Sequence, residues 1–272
     1  MAKDVSAVRI VRASDRWHWR NEWLESWQSF PVTGNFDLAG NAHGLLMVNN
    51  EDTIDPGEGF DAHTHRNTEI ITWVLEGTAV HKDSLGNSGE IRPGIVQRMS
   101  AETGITHTER NGAGRLERQQ LHVVQMWIPP DKIDRAPSYQ ESDITSDLRR
   151  NTLLPIASGM PKYRGDAAIS FGNRYATLHV ALLDPRHSVN APDALYGHVF
   201  VSRGQVEFEG QGLLQQGDAV RLTRTGGHRV SATDEGAELL IWEMHGTAIN
   251  VLITRRIGKS GWSGSRFIGQ RR

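Results

Sequence analysis

The chain lacks cysteine, carries little net charge and contains no long apolar run. Its 272 residues include no Cys, and the formal net charge is −2. The lack of cysteine excludes disulfides and thiolate metal ligands and fits a reducing compartment. The near balance of charge gives no bulk attraction to nucleic acid or to an anionic membrane. With no apolar run long enough for a membrane span or a secretory signal, the sequence predicts a soluble cytoplasmic protein.

Short β-rich segments separated by turns make up most of the chain. The 28 Gly and 10 Pro residues divide it into brief runs rich in β-branched and aromatic residues. Clear examples are residues 69–75, 121–128, 176–183 and 197–203. Strands of this length at this spacing are typical of an all-β barrel or sandwich.

Two triplets carry the main functional signal. His63-Thr64-His65 and His107-Thr108-Glu109 each place two potential metal ligands two residues apart. Side chains at i and i+2 leave the same face of a strand, so neighbouring strands would bring three imidazoles and one carboxylate together. That set suits a divalent ion such as iron, nickel, manganese, copper or zinc. A lone histidine is more often a hydrogen-bonding residue, but the paired spacing favours a metal site.

The second half of the chain repeats the pattern of the first without its histidine pair. Val74-Leu75-Glu76-Gly77 corresponds to Val201-Ser202-Arg203-Gly204, each a strand that ends in Gly before another strand. In this alignment Asn190 and Pro192 stand where the first half has His63 and His65, and His228 stands roughly where His107 would be, without ligand partners. The sequence therefore predicts a decayed internal duplication whose second half keeps the fold and lacks the metal.

A long ordered set of motifs resembles the pirin family, the two-domain members of the cupin superfamily. The match is nearly continuous over residues 57–128 and looser over 1–56 and 166–245. The motifs that carry it are Gly59-Phe60, His63-Thr64-His65, Glu69, Val74-Leu75-Glu76-Gly77, His81-Lys82-Asp83-Ser84-Leu85-Gly86-Asn87, Ile91-Arg92-Pro93-Gly94, Gln97-Arg98-Met99-Ser100-Ala101 and Gly104-Ile105-Thr106-His107-Thr108-Glu109.

The resemblance implies an all-β bicupin, that is, two tandem jelly-roll-like β-barrels. We assign residues 1–135 to an N-terminal metal-binding cupin and 136–165 to a connector. Residues 166–245 then form a C-terminal cupin without the metal, and 246–272 form a basic C-terminal extension. A basic tail can bind nucleic acid or protein, but solvated chain is the preferred interpretation here.

The resemblance also implies the metal and its ligands. Pirin-like proteins usually hold iron, so Fe(II) is the expected ion, with Ni, Mn, Cu or Zn as alternatives. The implied ligands are His63, His65, His107 and Glu109, and Glu109 is also the expected catalytic base. Seven residues separate Glu69 from Gly77, one more than in the commoner cupin motif, so we expect Glu69 to point away from the metal.

Two functions are compatible with these ligands. The first is a dioxygenase that cleaves quercetin or a related flavonol or catechol with dioxygen. The second is a metal-holding pirin that acts as a redox-responsive binding module or transcription cofactor with a protein partner. The pocket expected for an aromatic substrate is drawn from barrel residues, most of which also serve as core: Phe60, Trp73, Met99, Met126 and Trp127.

Overall fold

The computed structural model describes residues 7–30 and 37–248, which form twenty strands, one short α-helix and two 3₁₀ turns. The helix α1 spans Leu38–Asn41, and the 3₁₀ turns span Ala13–Asp15 and Pro161–Tyr163. The predicted all-β class is confirmed. The predicted basic extension lies outside the described residues from position 249 onward.

In chain order the strands are β1 (Ala7–Val11), β2 (Trp17–Arg20), β3 (Leu24–Gln28), β4 (Val48–Ile54), β5 (Gly59–His65), β6 (Glu69–Glu76), β7 (Ala79–Asp83), β8 (Ser88–Ile91), β9 (Ile95–Ser100), β10 (Ile105–Asn111), β11 (Leu121–Ile128), β12 (Ser138–Asp143), β13 (Leu154–Ser158), β14 (Ile169–Ser170), β15 (Ala176–Leu183), β16 (Ser188–Asn190), β17 (Tyr196–Phe208), β18 (Gly212–Gln215), β19 (Ala219–Thr223) and β20 (Arg229–Met244).

The N-terminal unit contains two sheets. It comprises, among the described residues, 17–30, 37–42, 46–141 and Ala248. A seven-stranded sheet has the order β12-β9-β6-β11-β4-β3-β2, and a four-stranded sheet has the order β5-β10-β7-β8. Two buried apolar clusters stabilise the unit through the hydrophobic effect, one around Ile70 and Met99 and the other around Val74 and Val123.

The β5–β10 pairing sets the geometry of the four-stranded sheet. His107 of β10 lies opposite His63 of β5, and a register shift follows, so that Glu109 lies opposite Phe60. Gly59 permits this close approach, because a Cβ there would lie 2.4 Å from the backbone oxygen of Glu109. The shift is a β-bulge of the kind that re-aims side chains beside functional sites.

The C-terminal unit is built on one nine-stranded sheet. It comprises residues 7–16, 43–45 and 142–247 of the described chain. The main path is β1-β19-β17-β20-β15-β13-β14, while β16 pairs with β20 and β18 pairs with β17. The long strands β17 and β20 stay paired through two register shifts, which let one strand pair bend around the buried core of this unit.

The units differ from the predicted domain boundaries in two places. Strand β1 pairs with β19 and belongs to the C-terminal unit, although residues 1–135 were assigned to the N-terminal cupin. The segment 136–165, expected to be a connector, contains β12 and β13. Strand β12 joins the seven-stranded sheet and β13 pairs with β15. The local sequence does not identify these segments as strands, because pairing with other strands, and not a local pattern, holds them in place.

Within the described residues, the structure contains no helix of sufficient length and apolarity to cross a membrane.

Candidate metal centre

Three histidines converge on one face of the four-stranded sheet. His63 and His65 leave the same face of β5, and His107 leaves that face of β10 directly opposite His63. Ring centroids are 4.4 Å apart for His63 and His107, 4.8 Å for His63 and His65, and 5.1 Å for His65 and His107. One ligand nitrogen from each lies within 4.8 Å of the others. The structure thus brings three of the four predicted ligands together, and their binding of an ion stays a prediction.

The protonation of these rings suits metal binding. His63 Nδ1 lies 2.7 Å from the backbone oxygen of Asp61, and since a carbonyl only accepts, Nδ1 donates and Nε2 keeps its lone pair. Among the described residues, the buried His107 Nε2 has no hydrogen-bond partner. Burial lowers the pKa of His65 to about 3 and of His107 to about 2, with the neighbouring His63 adding to the effect. Neutral imidazoles are the form that binds metal.

Glu109 has a carboxylate oxygen within 4.8 Å of a ring nitrogen of His107, and its carboxylate is held by an amide. Gln125 Nε2 donates to Glu109 Oε1 at 3.0 Å and to Oε2 at 2.9 Å. The indole nitrogen of Trp127 donates to Gln125 Oε1 at 2.9 Å, which fixes the amide with its nitrogen towards the carboxylate. Gln125 had no role in the sequence-based prediction, and only the pairing of the strands reveals it.

A second group of potential ligands overlaps the first. Ligand atoms of His81, His107 and Glu109 also lie within 4.8 Å of one another. His81 and Asp83 on β7 lie opposite Glu109 and His107 on β10, so all four side chains share one sheet face. The i, i+2 spacing of His81 and Asp83 was present in the sequence, but it becomes informative only with the β7–β10 register.

The five predicted pocket residues do not form one lining. The Trp127 ring meets the His65 ring edge-on with centroids 4.9 Å apart, and the half-buried Phe60 ring lies 6.1 Å from His63. Met99 is fully buried in an apolar cluster with Ile70. Phe60 and Trp127 therefore flank the histidines, and Met99 packs in the same apolar cluster as Trp127.

Trp73 and Met126 lie on the other face of the seven-stranded sheet. Gln125 of β11 pairs with Thr72 of β6, so their side chains point to the same face of the sheet, the face from which Gln125 reaches Glu109. Trp73 and Met126 are the next residues along these two strands, and their side chains therefore point to the opposite face. Strand alternation excludes both from the lining of this site.

Glu69 also lies away from the histidines, as expected from its spacing. It is fully buried at the start of β6 and accepts a hydrogen bond from Ser100 Oγ. Because it is four residues from Trp73 on the same strand, alternation places it on the face opposite Gln125. Glu69 has a structural role in this sheet.

The three-ligand groups found among the described residues both belong to the N-terminal unit. In the C-terminal unit, Asn190 occupies β16, and His228 contacts Thr225 Oγ1 at 2.9 Å and packs against Phe208. His228, the one histidine that the alignment placed near the position of His107, is thus used for local packing.

The residues present fit a divalent metal. Three imidazoles and a carboxylate from two adjacent strands match the nitrogen and oxygen ligands that such ions prefer. The buried nitrogen of His107, which lacks a hydrogen-bond partner in the described structure, is the observation that argues most directly for an ion.

Known proteins resemble this chain over nearly its whole length. A Mycobacterium tuberculosis protein named "Putative quercetin 2,3-dioxygenase" is 46% identical over 240 residues, covering 88% of this chain and 96% of the relative. The Escherichia coli protein named quercetin 2,3-dioxygenase is 39% identical over 134 residues, covering 49% of this chain and 57% of that protein.

A solved structure shows the same fold. The Escherichia coli bacterial pirin YhhW in complex with nickel(II) matches with a TM-score of 0.77 and 26% identity, covering 89% of this chain and 100% of that one. The pirin family model matches residues 9–128, the segment that carries both histidine triplets. The predicted bicupin architecture and the predicted family are confirmed, and the chain belongs to the pirin family.

Proposed function

We propose that this protein is a metal-dependent dioxygenase that opens the central ring of quercetin or a related flavonol. The observation that supports this proposal most is the convergence of His63, His65 and His107 on one sheet face, where an oxygen of Glu109 lies within 4.8 Å of a His107 nitrogen. The names of the M. tuberculosis and E. coli relatives support the substrate class.

The metal would be held by His63, His65, His107 and Glu109. Fe(II) is our first choice for the ion, and the nickel(II) in the E. coli pirin supports nickel as an alternative. Mn, Cu and Zn also suit this ligand set. When bound, the ion would supply open coordination positions for a substrate oxygen and for dioxygen.

Glu109 is the proposed base for the 3-hydroxyl proton of the flavonol. Both carboxylate oxygens accept from the single Gln125 nitrogen, which leaves further lone pairs on each oxygen for a substrate hydroxyl. The Trp127-to-Gln125 hydrogen bond restrains that nitrogen, so the carboxylate keeps its orientation while the proton moves. Such positioned bases contribute typically about 10²- to 10⁴-fold to the rate.

The substrate would approach from the side of His63 and Glu109. These two side chains are partly exposed, whereas His65 and His107 are buried. Phe60, also partly exposed, offers an aromatic face next to His63 on which a flavonol ring can pack. Trp127 covers His65 and keeps water from that side of the site.

The proposed reaction balances without a further reductant. Quercetin and one dioxygen yield one depside and one carbon monoxide. The two ring bonds of the carbon that bears the 3-hydroxyl break, this carbon leaves as carbon monoxide with the hydroxyl oxygen, and both atoms of dioxygen enter the depside. Dioxygen is the oxidant, and the proton taken by Glu109 returns to the depside.

The experiment begins with metal analysis of the purified protein. Chelated protein is then reloaded separately with Fe(II), Ni(II) or Mn(II) and incubated aerobically with quercetin while the visible absorbance is followed. We expect turnover only with bound metal. His122→Ala is the matched control for the ligand variants, because His122 pairs with Glu51 at 2.8 Å outside the histidine cluster.

A protein that binds metal and leaves both quercetin and simple catechols unchanged would contradict the oxygenase proposal. The binding-module function would then replace it, because the same ligands serve a metal that alters contacts with a protein partner.

A further inference from the structure

We propose that His81 and Asp83 form a relay that fixes the tautomer of His107, and that His81 is therefore a positioning residue of the metal centre. The inference rests on the proposed function for its purpose, but its first test needs no metal. Its basis is a chain of two contacts that links three residues, from Asp83 through His81 to His107.

The chain of contacts begins at a carboxylate. Asp83 Oδ2 lies 3.4 Å from His81 Nε2, and a carboxylate only accepts, so this nitrogen of His81 carries the proton. With its proton on Nε2, His81 presents the lone pair of its Nδ1. That atom lies 3.4 Å from His107 Nδ1, which must donate the hydrogen bond. The remaining nitrogen of His107, Nε2, is left with its lone pair.

The orientation of Asp83 is fixed independently of His81. Its Oδ1 accepts from the backbone N–H groups of Leu85 at 2.9 Å and Asn87 at 3.0 Å, and the Asn87 side chain donates to Oδ2 at 2.9 Å. The carboxylate is thus part of the turn between β7 and β8. Because the turn holds it, its oxygen remains aimed at the ring of His81.

The ring of His81 is held from the other side by Tyr139. The two rings stack with centroids 4.9 Å apart and an interplanar angle of 27°. Gly89 lies opposite His81 on β8 and leaves the space that the Tyr139 side chain needs, since a Cβ there would lie 2.1 Å from the Tyr139 hydroxyl. His81 is 1% exposed, so water does not compete for its nitrogens.

His81 sets the tautomer of His107 in the same way as the Asp61 backbone oxygen sets the tautomer of His63. In both rings Nδ1 donates and Nε2 is free of its proton, which points the lone pairs of the two imidazoles into one site. Outer hydrogen bonds of this kind orient metal-ligating histidines and raise their basicity, and their loss typically weakens metal binding about 10- to 100-fold.

The direct test is nuclear magnetic resonance of chelated wild-type protein labelled with ¹⁵N-histidine. Long-range proton–nitrogen correlations report which ring nitrogen carries the proton. We expect His107 protonated at Nδ1 and His81 at Nε2 at neutral pH. A His107 protonated at Nε2, or a doubly protonated His81, would overturn the relay.

Nickel(II) titration of three variants tests the consequence. His81→Phe keeps an aromatic ring against Tyr139 but removes the acceptor, so nickel affinity should fall about 10- to 100-fold. His81→Gln offers an amide oxygen to His107 Nδ1 and should stay within about threefold of wild type. His122→Phe, the same change at a histidine paired with Glu51, should leave the affinity unchanged.

Thermal unfolding of the chelated variants identifies any loss of fold, and the wild-type tautomers decide the relay even if His81→Phe does not fold. Equal nickel affinity for folded His81→Phe and His81→Gln would contradict the positioning role. If the predicted tautomers are found but wild-type protein does not bind nickel, iron or zinc, the relay stands and the proposed metal-dependent function fails.

Discussion

At the scale of single residues, the site depends on which oxygen and nitrogen atoms keep a free lone pair. Glu109 accepts two contacts from one Gln125 nitrogen, and His63 directs its proton to the Asp61 backbone oxygen. Each arrangement leaves acceptor atoms on the side where the three imidazoles meet. The chemistry therefore depends on hydrogen bonds outside the ligand set.

Glu109→Gln removes the proposed base while leaving the fold intact. The new amide oxygen can still accept from Gln125 Nε2, so we expect unchanged folding and much of the metal to be retained. A neutral amide takes up no proton, and turnover of quercetin should fall about 10²- to 10⁴-fold. Metal content and initial rates are measured together. Wild-type activity in this variant would show that Glu109 does not accept the substrate proton.

His63→Ala acts on the metal itself. Removing one of three clustered imidazoles should weaken metal binding, and activity should return in part when metal is added in excess. Calorimetric titration and activity at increasing metal concentration measure this. The prediction fails if His63→Ala binds metal as tightly as His122→Ala.

At the scale of elements, the close approach of β5 and β10 places His63 and His65 against His107. Gly59→Ala should push these strands apart, because the new Cβ would lie 2.4 Å from the Glu109 backbone oxygen and 2.5 Å from Arg110 Cα. Overpacking of this kind typically costs about 1–3 kcal/mol. We expect lower stability in urea and weaker metal binding.

Gly114→Ala is the control for that change. Its nearest neighbour would be the flexible Glu117 side chain at 3.3 Å, so little must move. Equal stability and metal affinity of the two glycine variants would show that the β5–β10 spacing does not position the site.

The sequence predicted the strands themselves better than it predicted which strands pair with one another. Spacing alone predicts that His63 and His65 share a face, because alternation is a local property of a strand. The positions of Gln125 and His81 depend on cross-strand register, which no local pattern specifies. The same reason explains the pocket: Trp73 and Trp127 look alike in sequence, and only the β6–β11 register assigns them to opposite faces.

At the scale of the whole molecule, the chain repeats its fold, and the ligand groups found among the described residues lie in one unit. In the other unit His228 packs against Phe208. The repeated strand pattern predicted two units in this order. It did not predict that β1 and β13 join the C-terminal sheet, because their placement depends on pairing with β19 and β15 and not on a local pattern.

Stability should depend on pH through His43 of the C-terminal unit. His43 Nε2 lies 3.0 Å from the backbone oxygens of Gly197 and Leu222, and burial, aided by the charge of Arg221, lowers its pKa to about 4. Below the ordinary pKa of about 6.5, the unfolded chain binds a proton that the folded protein does not. The stability contributed by neutral His43 is therefore present above that pH and is lost as the pH falls towards 4.

His43→Gln should remove this part of the pH dependence. Between about pH 7 and pH 5, wild type should lose roughly 2 kcal/mol more unfolding free energy than the variant. Urea denaturation of chelated protein at both pH values measures the difference. An identical loss in wild type and His43→Gln would show that this ring titrates normally in the folded state.

The most direct measurement of the central claim is the carbon monoxide released per quercetin consumed by metal-loaded protein. For wild type we expect one carbon monoxide and one depside for each quercetin and each dioxygen used. For Glu109→Gln we expect the loss of both products, although that variant retains metal. Quercetin that stays intact with fully loaded wild-type protein, or that disappears without carbon monoxide at equal rates in both proteins, would contradict the claim.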